Sequence, residues 1–286
     1  MEAEESIDDL RDRRSELRAK CGDCFALCCA ALSFERSADF ALTKAAGEPC
    51  VNLQDDYRCG VHERLRPLGF KGCTVFDCFG AGQKVSQDTF AGVSWRVDPG
   101  SRPSMFEVFS VVRQLHEVLW FVNGARLATL GFEPLAAELT EASARIERLA
   151  DGSATEIVDI DVDDVRHQVR HLLLAASDHV RAIACRQRGK VRLPGRVRPG
   201  ADLLGVAFRD TDLRGADLRS SYLIGSDLRG SDLRGADVLG ADLRDADVSG
   251  ADLSEALYLS QTQVNAANGD FSTLLPAGLE RPAHWS

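Results

Sequence analysis

Eight of the nine cysteines in this 286-residue chain fall between Cys21 and Cys78, and the ninth is Cys185. Four of the eight stand within CGDCFALCC, residues 21–29. Thiolates are ligands for zinc, which takes four thiolate or imidazole donors in a tetrahedron, and for iron–sulfur clusters. Wound as one helix, Cys21, Cys24 and Cys28 would share an arc of about 60° and face one centre, while Cys29 would lie about 100° from Cys28 on a neighbouring face. The remaining thiols, Cys50, Cys59, Cys73 and Cys78, follow as C-x8-C-x13-C-x4-C. With His62 nearby, the set suffices for two four-ligand sites or one polynuclear site. Neither spacing is that of a zinc ribbon or of the bacterial ferredoxin run, so spacing leaves the metal open between zinc and iron. The competing readings are small buried side chains and a redox disulfide switch.

The elements that must position these thiols fall into three compositional zones. Residues 1–95 form a cysteine-rich module that opens with an amphipathic helix and continues in Gly- and Pro-rich loops. Residues 101–190 are helical by periodicity: Met105, Phe109, Val112, Leu115, Leu119 and Val122 step by three and four, as do Val165, Val169, Leu172, Ala176, Val180 and Ile183. A shorter helix is expected over 134–150, and Asp161, Asp163 and Asp164 place negative charge at a helix start. The basic segment RQRGKVRLPGRVRPG, 186–200, has the composition of a linker into the last zone, 191–286.

That last zone repeats with a period of five. Twelve consecutive units from ADLLG at 201 to ALYLS at 260 carry a bulky apolar residue (Leu203, Phe208, Leu213 and onward to Leu253), with a small one two positions before it. A short fixed period defines a solenoid in which each unit contacts its neighbours. Both recurrent residues can point inward, which leaves Asp, Arg and Gly outside. The pattern resembles the pentapeptide-repeat family, and the resemblance implies a right-handed quadrilateral parallel β-helix of four pentapeptides per coil and three coils. The tail beyond 260 resembles the closing segment of bacterial members, with Phe271, Leu274, Leu275 and Trp285 as candidate covers for the open end.

Residues 18–84 resemble the YkgJ-type cysteine-rich family, described as zinc- or iron-chelating. The resemblance rests on the CxxCxxxCC opening, Pro49–Cys50, CGVHERLRPLGFKGC from Cys59 to Cys73, and FDC at 76–78. It implies Cys21, Cys24, Cys28, Cys29, Cys50, Cys59, Cys73 and Cys78 as metal ligands. The opening has one residue more than the commoner CxxCxxCC form.

Composition bounds the partners. A formal charge of −10 and 27% charged residues disfavour a grip on nucleic-acid phosphates, and no apolar run of membrane-spanning length or secretory leader is present. The expected setting is therefore the cytoplasm, and the Arg-rich, Ala- and Gly-rich composition suggests a bacterial source. His167 and His171 in HQVRH lack the Glu of a metalloprotease motif and are expected on a solvated face. FGAGQK at 79–84 lacks a nucleotide-loop ending and is expected to be a turn. Together these features describe a multidomain α plus β protein that binds zinc or iron and uses its β-helix as a protein-interaction scaffold, without a catalytic constellation. Homodimerisation stays open. Two alternatives remain: an acidic solenoid that mimics DNA toward a type II topoisomerase, and an iron–sulfur redox or methyl-transfer protein.

Overall fold

The structure, a computed structural model, describes residues 6–190 and 192–285; residues 1–5, within the opening helical stretch, the linker residue Val191 and the terminal Ser286 lie outside the described residues. In chain order the helices are α1 (Ile7–Glu16), α2 (Leu27–Ala31), α3 (Lys71–Val75), α4 (Ala81–Gln83), α5 (Arg102–Ala128), α6 (Glu133–Ala150), α7 (Ala154–Val158), α8 (Val162–Arg188) and α9 (Gln261–Ala266). Single 3-10 turns lie at Cys21–Asp23 and His62–Arg64, and α4 runs into a π-helical stretch at Lys84–Thr89. The chain forms two compact units. One holds Asp12–Val122 and Thr140–Arg170; the other holds Asn123–Leu139 and the chain from His171 onward, with the first part of α1. The helical zone is thus shared between them.

The long helices arise where the apolar periodicity places them. In α5, Met105, Phe109, Val112, Leu115 and Val122 are fully buried. Asp161 caps α8 by accepting hydrogen bonds from the backbone N–H groups of Asp163 and Asp164 at 3.0 and 3.2 Å. The short α7 begins with a capping box, in which Ser153 accepts from the Glu156 N–H and the Glu156 carboxylate accepts from the Ser153 N–H at 2.8 Å.

CGDCFALCC does not form one helix. After the turn at Cys21–Asp23 the backbone extends at Cys24, passes through the left-handed region at Ala26 with φ 56°, and only then enters α2. Tertiary hydrogen bonds occupy the backbone groups that a continuous helix would have used. The Phe25 N–H donates to Ser86 Oγ at 3.0 Å, and the Trp95 indole donates to the Phe25 carbonyl at 2.8 Å. The core of this unit joins the cysteine-rich module to the first turns of α5: Leu27, Ala30, Ala81, Val85 and Trp95 pack with Met105, Phe106, Phe109 and Val112. His116, on the same face of α5, is buried and pairs through Nδ1 with the Phe79 carbonyl at 2.7 Å.

In the other unit the solenoid is built on parallel bridges between residues twenty apart: Asp212 with Asp232, Asp232 with Asp252, Asp217 with Asp237, Asp227 with Asp247. Twenty residues are four pentapeptides, so each coil has four sides. Each side is a single bridge flanked by turns, and no extended strand occurs among the described residues. The interior is a column of Leu203, Phe208, Leu213, Leu218, Leu223, Leu228, Leu233, Val238, Leu243, Val248 and Leu253, with alanine or serine filling the smaller inward position except at Val206 and Thr211. The linker ends as part of this core, since Leu193 and Val197 pack against it. Helix α8 lies on one side of the coil. The Tyr258 hydroxyl donates to the Leu173 carbonyl at 2.7 Å, Ser177 donates to the fully buried Asp237, and Arg181 pairs with Asp217 at 3.2 Å. Gly215 and Gly235 allow this approach. A Cβ at Gly215 would come within 2.8 Å of the Arg181 carbonyl oxygen, and one at Gly235 within 2.6 Å of Ala184 Cβ, at corners whose φ is already positive.

The open end of the solenoid is closed differently from the expectation. Trp285 is buried and Leu275 packs on the core, whereas Phe271 and Leu274 are exposed. Val264 and Ala267, in and just after α9, join the core instead. Leu274 pairs as a parallel bridge to Asp252, so its backbone extends the ladder while its side chain points outward.

Two stability effects are expected. Leu233→Ala, at a buried position of the column, should lower unfolding free energy by about 2–5 kcal/mol in urea denaturation, while Leu204→Ala at an exposed position should change it by less than about 0.5 kcal/mol. Burial holds the His116 pKa down to about 4, against roughly 6.5 for the unfolded chain. The unfolded state therefore takes up the proton first, and stability present above pH 6.5 is lost as pH falls toward 4, by up to about 3 kcal/mol. His116→Gln should remove that share of the pH dependence in denaturation curves at pH 7 and pH 4.5.

Candidate functional site

The eight predicted cysteines all lie in the unit built from Asp12–Val122 and Thr140–Arg170, and all are free thiols. Cys185 lies elsewhere, on α8 against the Gly215 carbonyl at 3.8 Å. The loops carrying the later thiols are tied to α2 through backbone hydrogen bonds. The Cys50 N–H donates to the Cys29 carbonyl at 2.9 Å, the Leu53 N–H donates to the Cys50 carbonyl at 2.9 Å, and Leu53 forms an antiparallel bridge with Cys59. An aromatic run steadies these loops: Phe25 against Tyr57 with ring centroids 5.3 Å apart, Tyr57 against Trp95 at 6.0 Å, and Trp95 against Phe106 at 5.8 Å. On the other side, Cys24, Cys28 and Cys78 pack directly on the core of the unit. Gly82 closes that corner, because a Cβ there would stand 2.7 Å from Cys24 Sγ and 3.7 Å from Cys78 Sγ. A side chain at 82 would therefore crowd Cys24, while Cys78 would remain at ordinary contact distance.

Cys28 and Cys29 point from adjacent positions with their sulfurs 3.9 Å apart. Their environments differ. The hydrogen bond with Cys29, then burial, pushes the Cys28 thiol well up, whereas the same hydrogen bond holds Cys29 below the usual thiol range, with Lys44 assisting. Burial pushes the Cys73 thiol up to about 12, with Cys29, Cys50 and Cys59 adding to it, and burial likewise pushes Cys78 up to about 12. Cys21, Cys24 and Cys59 are raised by burial first. Lys44 is a buried cation of the module, 5% exposed, and its ammonium donates to the carbonyls of Ala30, Ala45 and Glu48 at 3.3, 3.0 and 2.7 Å. Asp77 is a half-buried carboxylate whose pKa burial raises.

Among the described residues, no three His, Cys, Asp or Glu side chains are already arranged to hold an ion. The thiols are gathered but not closed. Free thiols are donors of the kind that zinc and iron take, and eight of them lie in this unit. Lys44, Asp77 and Gly82 were not visible as site residues in sequence. Asp77 lies inside FDC and Gly82 inside FGAGQK, but nothing in the pattern around Lys44 marks it as buried. His167 and His171 are exposed, and His171 faces Glu138 at 3.7 Å in solvent.

The solenoid surface is governed by one recurring device. The aspartate at the second position of a repeat accepts a hydrogen bond from the backbone N–H two residues on, as in Arg214 to Asp212 at 3.2 Å and Arg234 to Asp232 at 3.1 Å. The arginine at that later position then pairs with its own aspartate, 2.7 Å for Arg214 with Asp212 and 2.6 Å for Arg234 with Asp232. It also reaches the aspartate one coil on, 3.4 Å for Arg214 with Asp232 and 3.3 Å for Arg234 with Asp252. Arg229 beside Asp227 repeats the pattern, and its hydrogen bonds hold the Asp227 carboxyl down to about 2. Asp212, Asp232 and Asp252 thus form a ladder with arginines laced through it.

A coil ladder of pentapeptides, in a chain that also carries a helical, cysteine-rich unit, is the architecture of a pentapeptide-repeat protein with an added N-terminal module. The family model "Pentapeptide repeats" matches in eight copies over residues 201–238 and 221–257. The chain is 52% identical over 270 residues to the uncharacterized protein YybG of Bacillus subtilis (strain 168), covering 94% of this chain and 95% of that protein, and it belongs to the same family. A solved pentapeptide repeat protein from the Arabidopsis thaliana thylakoid lumen is 24% identical over 33% of this chain and 68% of its own, with a TM-score of 0.17, and carries no structural argument at that score. No helix among the described residues is long and apolar enough to cross a membrane.

Thiol reactivity tracks the thiolate fraction. In reduced, metal-free protein, limiting iodoacetamide near neutral pH should label Cys29 well before Cys73 and Cys78, as read by peptide mass spectrometry. The reverse order would contradict the assigned environments.

Proposed function

We propose that this protein is a non-enzymatic metal-binding protein of a reducing, cytoplasmic setting, whose cysteine-rich module takes up zinc or iron and whose pentapeptide solenoid is a protein-interaction scaffold. The observation that supports the metal reading is the placing of eight free thiols, on α2, α3 and the turns and loops around them, within one module. Cys21, Cys24, Cys28, Cys29, Cys50, Cys59, Cys73 and Cys78 are the ligands in this reading. A metal would supply the positive charge that lets neighbouring thiols ionise together. The chain's own residues would hold and orient it: Lys44 by its fixed charge, Gly82 by leaving room, and the Phe25–Tyr57–Trp95 stack by excluding water. We take the solenoid to be the right-handed quadrilateral β-helix of its repeat class. The exposed Leu204 and Tyr222 stand where other repeats carry arginine and aspartate, and we assign a protein partner to that side. Bare acidic mimicry of DNA draws little support, because each aspartate of the ladder is bound into a corner and most are paired to arginine.

Elemental analysis of anaerobically purified protein, with its absorption spectrum, tests the metal reading. We expect at least one equivalent of zinc or iron per chain. A visible charge-transfer band would assign iron, including an iron–sulfur cluster, and a colourless zinc-loaded protein would assign zinc. Metal-free, fully folded protein would contradict the reading.

A further inference from the structure

The two ends of the solenoid are finished differently. On the side that holds Ala207, Asp227 and Asp247, parallel bridges run from Ala207 to Asp227, from Asp227 to Asp247 and from Asp247 to Asn268. Asn268 belongs to the segment after α9, so the chain closes the far end of this side itself. The near end has no such rung. The bond to the next coil is made by the neighbours of Ala207: the Phe208 N–H donates to the Asp227 carbonyl at 2.7 Å, and the Asp227 N–H donates to the Val206 carbonyl at 3.0 Å. The N–H and C=O of Ala207 itself therefore point away from the next coil, and neither has a hydrogen-bond partner among the described residues. Other stretches of this edge are taken up. The Gly200 N–H donates to the Arg219 carbonyl at 2.7 Å, Ser221 Oγ donates to the Arg198 carbonyl at 3.2 Å, and Arg188 in the last turn of α8 donates to the Arg214 carbonyl.

Between the linker and the bare rung lies a recess of about 530 Å³, with Pro194 and Arg196 on one wall and Val206, Ala207, Phe208 and Thr211 on the other. The coil is uncharged from Leu204 to Phe208, Leu204 is exposed, and Ala207 stands where most repeats carry aspartate. The linker is the opposite. Residues 186–200 hold six basic side chains and no carboxylate, in a chain of formal charge −10. Arg192, Arg196 and Arg198 are exposed, and their side chains have no ion pair or hydrogen bond among the described residues. A bare edge is a template for another strand, in which backbone pairing gives affinity and side-chain recesses give specificity.

Resting on the reading of the solenoid as an interaction scaffold, we infer that this end of it is a peptide-binding site. An extended, acidic segment of a partner protein adds a rung at Ala207, accepting from its N–H and donating to its carbonyl. One apolar side chain of the segment enters the recess at Phe208, and flanking carboxylates meet Arg192, Arg196 and Arg198. The segment takes the place of a preceding pentapeptide, as Asn268 takes that of a following one.

The probe is a fluorescein-labelled synthetic peptide with one Ala-Asp-Leu unit between pairs of glutamates, mixed with the full-length chain and followed by fluorescence anisotropy and amide hydrogen exchange. It should bind, slow exchange of the Ala207 amide, and bind more weakly as salt rises. Lysines in place of its glutamates, or N-methylation of its leucine amide, should each weaken binding by about tenfold or more. Ala207→Asp restores the residue that most repeats carry, and Arg196→Glu changes an exposed side chain without a partner. Each should keep wild-type circular dichroism and lower affinity by about tenfold or more. Loss in Arg196→Glu with none in Ala207→Asp would reduce the site to charge attraction, open equally to a nucleic acid, and overturn the strand pairing. Unchanged affinity in both variants, protection at Tyr222 instead of 204–208, or no binding of the probe would overturn the site. The scaffold reading would fall with it only if a random-sequence peptide pool also protected no part of the solenoid.

Discussion

Eight thiols brought together in one module face an electrostatic constraint that shapes everything around them. Each additional thiolate is repelled by those already ionised, and burial raises the cost of every charge. The structure shows both effects in the high positions of Cys73 and Cys78, each pushed to about 12. A set of this kind stays protonated and inert, or it is neutralised by a cation. Lys44 supplies one fixed positive charge, desolvated and satisfied by backbone carbonyls, on the side where Cys29 is held low. A bound metal would supply the remainder. The break in CGDCFALCC, the aromatic stack and Gly82 all shape the segments that carry these thiols.

The solenoid answers a different constraint. With four corners per coil, each corner leaves backbone N–H groups that no strand partner takes up. The second-position aspartate accepts one of them, and the arginine two residues on pairs with that carboxylate and with the one in the next coil. The acidity of the repeat is thus largely architectural, and the arginines bind successive coils side to side. Asp237 departs from the pattern in its burial: α8 covers its side of the coil, Ser177 donates to it, and Arg219 of the preceding coil reaches it at 3.7 Å, while Leu239 stands where the pairing arginine would be.

Much of this was legible in the sequence because it is periodic. The five-residue repeat placed every inward residue of the column, and the three- and four-residue steps placed α5 and α8. The Ser153–Glu156 box that starts α7 is equally local and equally readable. What stayed hidden depends on long-range partners. Trp95 and Ser86, some sixty to seventy residues downstream, capture the backbone of Phe25 and break the helix that local pattern favours. Leu274 has an apolar side chain, but its backbone serves the ladder and its side chain faces out. Lys44 carries no local mark of burial, because its three acceptors are brought to it by α2 and by the turn before Cys50.

The central claim is that sulfur alone gathers at this site for a metal. X-ray absorption at the metal edge of the natively loaded protein measures the first coordination shell directly. The account predicts a shell of about four sulfur atoms near 2.3 Å per zinc, or the corresponding thiolate shell about iron. A shell dominated by oxygen and nitrogen would contradict it, because the metal would then be held by groups other than these cysteines.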